Sequence, residues 1–135
     1  MNQQRVKTVG TESLYIAYRE HGPDSGWPVI LSHGFPYDVH AFDEVAVILA
    51  QAGARVITPY TRGFGPTRFV SHAILRSGQQ AARARDIVQL ADALDLQRPL
   101  LSTVIVGSSV LKPAILRCGR LKISSPRSLR FKCRP

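Results

Sequence analysis

Apolar and polar positions alternate with a period of two near the amino end of the chain and shift to a helical period further on, which divides it into elements. Val6 to Val9 and Leu14 to Glu20 read as strands, and in the second Leu14, Ile16 and Tyr18 share one face while Tyr15, Ala17 and Arg19 share the other. Gly10-Thr11 between them suits a hairpin turn. The turn formers His21-Gly22-Pro23-Asp24-Ser25-Gly26 then lead into Val29-Ile30-Leu31, a continuous apolar run of the kind that fills a strand buried on both faces. Phe42, Val45, Ala46, Leu49 and Ala52 recur at helical spacing across residues 41–52, with Asp43 and Glu44 complementing the dipole in the first turn and Gly53 placed as a stop. Arg55 to Thr58 gives a short strand closed by Pro59, so that strand, helix and strand make a βαβ unit whose crossover should be right-handed. Residues 67–76 predict irregular or weakly helical structure. Ser77 with Gln80 forms a capping-box pattern, and Ala84, Ile87, Val88, Ala91 and Leu94 line one face of a helix running to about Leu96. Leu100 to Val106 is a second continuous apolar run and predicts the next parallel strand.

Composition changes this picture mainly at the carboxyl end. With 135 residues and 44% hydrophobic content, the chain holds one domain at most, with a modest core. No run of 18 apolar residues and no charged segment followed by an apolar block occurs, so a cytoplasmic location is expected. Of the 18 basic residues, eight lie in residues 102–135, where no acidic residue occurs, so the net charge of +9 is almost entirely a property of that tail. From Gly107 onward helical periodicity decays to fragments and prolines stand at 113, 126 and 135. The chain thus divides into residues 1–106, which carry the strand and helix pattern, and a basic, irregular segment at residues 107–135. Phe131 is the only aromatic in that segment, which disfavours a nucleic-acid or membrane contact. Cys118 and Cys133 have no metal-ligand spacing and read as free thiols.

Two strand ends carry the candidate chemistry. After Leu31 the chain runs Ser32-His33-Gly34-Phe35-Pro36, where Gly34 can take backbone angles closed to other residues and Pro36 restricts Phe35. This turn falls at the carboxyl end of a central strand, the edge where ligands bind in open α/β sheets, and the N–H of Phe35 is the best placed to point into a pocket. The second turn, Thr61-Arg62-Gly63-Phe64-Gly65-Pro66-Thr67, follows the next strand. The two stretches together resemble the α/β hydrolases, especially the epoxide hydrolase and haloalkane dehalogenase branch. The first is similar to that family's His-Gly-x-Pro turn, and the second to its Asp-x-Arg-Gly-x-Gly-x-Ser turn, with Tyr60 at the Asp position and Thr67 at the Ser position. The resemblance covers roughly residues 9 to 101. It implies a partial α/β-hydrolase fold, with a mostly parallel sheet, an antiparallel amino-terminal hairpin and two crossover helices. It also implies an oxyanion hole and substrate pocket at His33, Gly34, Phe35 and Pro36, a cis Phe35–Pro36 bond, and a small-molecule substrate for the full-length relative.

The remaining inventory departs from that family. Its nucleophile stands on a tight turn after the strand that this chain reaches at residues 100–106, and here the sequence is Gly107-Ser108-Ser109-Val110-Leu111. Ser109 falls at the nucleophile position, but Leu111 replaces the second glycine and Pro113 interrupts the helix that should follow; a solvated turn serine is the alternative reading. The family's acid and histidine follow the nucleophile, whereas no His, Asp or Glu occurs after Asp95. His33 reads as a structural residue that satisfies backbone groups, and His40 and His72 as exposed. Phe35 and Tyr37 either line an apolar pocket or pack ordinarily, and Arg62 is free to pair with a nearby carboxylate. No cofactor is expected, and no carboxylate pair or His/Cys cluster suggests a metal.

These features predict a truncated or frame-shifted fragment of a hydrolase acting on ester, epoxide or carbon–halogen bonds, itself inactive. Two alternatives stand beside it: a minimal serine hydrolase using Ser109 with the Phe35 N–H, and a non-enzymatic binding module with a basic tail. A strand at 100–106 left as an open apolar edge would favour self-association.

Overall fold

The computed structural model describes residues 5–103 and 114–115. The described strands, β1 (Lys7–Gly10), β2 (Leu14–His21), β3 (Trp27–Ser32), β4 (Ala54–Pro59), β5 (Arg68–Phe69), β6 (Leu100–Thr103) and β7 (Ala114–Ile115), form one sheet in the order β1-β2-β4-β3-β6-β7, with β5 pairing β2 off this path. β1 and β2 make the expected antiparallel hairpin, and β2 runs antiparallel to β4. β3 lies between β4 and β6, parallel to both. The helix α1 (Asp43–Gln51), entered through a 3-10 turn at Val39–Phe42, links β3 to β4, and α2 (Gln80–Ala93) links β4 to β6.

Strand alternation sorts the buried side chains between two cores. Leu14, Ile16, Tyr18, Ile30 and Ile57 pack with Ile87, Leu90, Ala91 and Leu96 of the α2 segment. Val29, Leu31, Ala54 and Val56 meet Phe42 and Ala46 on the opposite face. Successive crossovers that leave β3 in one direction and β4 in the other place their helices on opposite faces when both have the same hand. The continuous apolar run of β3 follows from this, because both of its faces are covered.

Several elements differ from the sequence expectation. In α1 only part of the expected stripe is buried: Phe42 and Ala46 face the sheet, while Val45 is 46% exposed and Ala52 is exposed as well. The 3-10 turn before the helix rotates the following residues away from a uniform helical register. Ser77 does not cap α2; its Oγ accepts from the Gln79 N–H, Gln79 is the N-cap residue, and the helix begins at Gln80. The buried face is Asp86, Ile87, Leu90 and Ala91, leaving Ala84 exposed. Within the stretch expected to be irregular, Arg68–Phe69 forms β5 against Leu14 and Tyr15 of β2. The edge of β6 is not fully open, since Ala114–Ile115 (β7) pairs antiparallel with Leu100 and Leu101. Residues 104–106 of the expected strand lie outside the described residues, as do Ser109, both cysteines and the rest of the basic segment apart from β7.

Candidate functional site

The site is built where β3 and β4 end side by side. Past Ser32, the Phe35–Pro36 bond is cis, as the resemblance implied, and the Tyr37 N–H donates to the Gly34 carbonyl at 2.8 Å, which closes a turn with proline at its third position. The direction of the next donor follows from peptide geometry. In the trans Gly34–Phe35 peptide the C=O and N–H point opposite ways, so a Gly34 oxygen held inside the turn sends the Phe35 N–H outward. That N–H makes no hydrogen bond to any described residue. The Phe35 side chain is 67% exposed and Tyr37 is also exposed, so neither packs into a core.

His33 has a different position. It is fully buried, and its Nε2 accepts from the Thr61 N–H at 3.2 Å, with the Thr61 hydroxyl 3.4 Å away. An Nε2 that accepts carries no proton, so the network assigns the neutral ring its proton on Nδ1. Burial above all holds its pKa below the ordinary histidine value, and the charge of Arg83 acts in the same direction against the polar backbone of Gly34 and Tyr37. The ring meets Phe64 edge-on, with centroids 4.8 Å apart. His33 therefore joins the first turn to the second from beneath and presents no nitrogen to a substrate.

The second glycine turn is tied down equally firmly. Gly63 and Gly65 both have positive φ, and a Cβ on Gly65 would stand 2.4 Å from the Tyr60 ring, so that position requires glycine on two counts. The Thr67 hydroxyl donates to the Tyr60 carbonyl at 2.7 Å and accepts from the Ala17 N–H at 3.0 Å, bridging the turn to β2. Arg62 finds the carboxylate partner anticipated for it in Asp86 of α2. Nε and Nη2 each donate to one carboxylate oxygen at 2.7 Å, Nη1 donates to the Ser77 carbonyl at 2.9 Å, and both side chains are nearly buried. Hydrogen bonding to Asp86 raises the guanidinium pKa further. A small pocket lies behind this turn, walled by Pro59, Tyr60, Thr61, Arg62, Arg83 and Asp86 with Leu14, Ile16 and Ile87, and it does not include Phe35.

The structure thus brings His33, Gly34, Phe35 and Pro36 together at one strand end, with the Phe35 N–H directed out of the turn. Three residues that sequence reasoning passed over hold the site: Thr61, Asp86 and Arg83, whose Nη2 donates to the His33 carbonyl at 2.7 Å. One sign was available for Asp86, a carboxylate at the amino-terminal end of an otherwise apolar helical face. His40 is exposed, with Nδ1 3.1 Å from both Arg19 Nη1 and Asp43 Oδ2. No group of three or more His, Cys, Asp or Glu that could hold a metal occurs among the described residues. No helix among them is long and apolar enough to cross a membrane.

A mixed sheet with helices on both faces and two tight turns at neighbouring strand ends is a partial α/β-hydrolase fold, and over about three quarters of its length the chain is similar to members of that family. It is 36% identical over 106 residues to a provisionally named non-heme chloroperoxidase of Synechocystis sp., covering 76% of this chain and 35% of that protein. It is 32% identical over 92 residues to a haloalkane dehalogenase of Mycobacterium marinum, covering 65% and 31%. It superposes with a TM-score of 0.72 on a crystal structure from Klebsiella pneumoniae provisionally described as an epoxide hydrolase, with 46% identity, 73% of this chain and 33% of that one. No family model matches the chain. It spans about a third of the length of these relatives.

Proposed function

We propose that residues 1–106 form the oxyanion-side wall of a hydrolase site acting on ester, epoxide or carbon–halogen bonds, and that this 135-residue chain does not itself turn over substrate. The observation that carries the first half is the outward, unengaged Phe35 N–H at the tip of a central strand. A donor fixed there can stabilise negative charge developing on a substrate oxygen without reorganising. The second half rests on the sequence: proton transfer needs a histidine oriented by a carboxylate, and neither residue type follows Asp95, while His33 is committed to Thr61. The acid-free stretch from residue 102 has the composition of an out-of-frame segment, a reading that the encoding nucleotides in all three frames test.

The deciding experiment incubates the purified chain with p-nitrophenyl acetate, styrene oxide and 1-bromobutane, and separately with a fluorophosphonate probe. Turnover at the buffer rate and absence of label are expected. Turnover or labelling that disappears in Ser109→Ala would replace this reading with the minimal serine hydrolase. Self-association belongs to the same proposal, because among the described residues β7 pairs only Leu100 and Leu101 of β6. Sedimentation should show species larger than the monomer.

A further inference from the structure

We infer that Arg83 is a positioning residue for the Phe35 turn, the side chain through which α2 fixes the peptide that precedes the candidate oxyanion donor; this rests on the reading of the Phe35 N–H given above. Arg83 sits one helical turn before Asp86, the partner an arginine would ordinarily take at that spacing. Both oxygens of Asp86 are engaged by Arg62, so Arg83 reaches across fifty residues of sequence and donates from Nη2 to the His33 carbonyl at 2.7 Å. That carbonyl lies one residue beyond the end of β3, where no ladder bond from a described residue holds it. A cationic donor on a carbonyl makes one of the stronger neutral-acceptor contacts. Two consecutive peptide planes are thereby fixed from different sides: His33–Gly34 by Arg83, and Gly34–Phe35 by the Tyr37 N–H. Losing the first leaves the strand end able to rotate, and the aim of the Phe35 N–H rotates with it. The same cation lies near enough to the His33 ring to disfavour its protonation, which gives the contact a spectroscopic signature.

The test uses the full 135-residue chain labelled with nitrogen-15, with Arg83→Met to remove the donor and Arg83→Lys to keep the charge without the planar fork. Amide exchange at Tyr37 is compared with that at Tyr60, whose N–H donates to the Ala17 carbonyl on the sheet. In Arg83→Met, Tyr37 exchange should accelerate about tenfold while Tyr60 is unchanged, as loss of one hydrogen bond from a charged donor allows. The His33 ring should then titrate at higher pH, and Arg83→Lys should recover its titration but only part of the Tyr37 protection. Unchanged Tyr37 exchange, or equal acceleration at both amides, overturns the proposal; if Arg83→Met does not fold, the same comparison in Arg83→Lys decides. Methylphosphonate, a tetrahedral oxyanion, is titrated into the wild-type chain and the Phe35 amide resonance followed. If that resonance does not move while Tyr37 behaves as expected, the oxyanion reading falls and the positioning role of Arg83 stands.

Discussion

The two faces of the sheet are held by different means. Under α2, an apolar cluster around Leu90 is crossed by polar ties, Arg62 to Asp86 and Arg83 to the His33 carbonyl, that reach the tips of β3 and β4. Under α1, contact is made mainly by small and medium apolar side chains such as Ala46, Ala54 and Val56, with one polar tie from Arg19 of β2 to Asp43 at the start of the helix, while Val45, Val47 and Ile48 stand exposed. Directional bonds between a helix and two loop tips fix orientation, which apolar packing alone does not do, so the face whose polar ties reach the strand tips is the one that shapes the candidate site, whereas Arg19 and Asp43 join α1 to β2 rather than to those tips. The α1 face supports β3 and β4 along their length and leaves their ends alone.

This contrast can be broken experimentally. The largest effect should come from Asp86→Ala, which leaves Arg62 buried without its carboxylate: a loss of about 3–5 kcal/mol in urea unfolding, with the second glycine turn disordered by NMR. If the loss is below about 1 kcal/mol, the value usual for an exposed pair, the tie is not a buried one. Leu90→Ala follows at about 3 kcal/mol, because Leu90 is fully buried at the centre of the α2 cluster and its removal leaves a cavity. Next comes a dependence on pH that belongs to His33. Its pKa is depressed in the folded chain, so the unfolded chain binds the proton first as pH falls below about 6.5. Stability is therefore complete above that value and declines from there down to the folded-state pKa. Urea midpoints at pH 7.5 and 5.5 should differ by less than the Leu90→Ala effect. The difference should shrink in His33→Gln and persist in part through His21, whose pKa burial also lowers. The smallest change should be Ile48→Ser, where the side chain is 64% exposed: within about 0.5 kcal/mol of wild type. A cost there matching Leu90→Ala would mean that the α1 face is covered in solution, and the contrast between the faces would disappear.

How much of this was legible beforehand depends on the distance over which each feature is decided. The run Val29 to Leu31, the breakers on either side of it, and the glycines at 63 and 65 encode their conformations locally, through side-chain shape and allowed backbone angles, whereas Gly34, expected to need the same freedom, does not take a positive φ. So does most of α2, although the apolar period pointed to Ala84 and passed over Leu90 and Asp86. A carboxylate lowers the apparent hydrophobicity of the face it occupies, and the arginine that justifies its burial lies twenty-four residues earlier in the chain. Two-residue strands such as Arg68–Phe69 have no period to read and exist because β2 offers them partners.

By itself, then, the sequence determined which stretches become strands, where the chain must turn, and that no histidine or carboxylate follows Asp95. The tertiary structure alone decided that His33 is buried against Thr61, that Asp86 serves Arg62, and that Arg83 holds the end of β3. The physical reason is range: backbone preferences act between neighbours, whereas the partner of a buried polar group is chosen by whatever the fold brings within hydrogen-bonding distance.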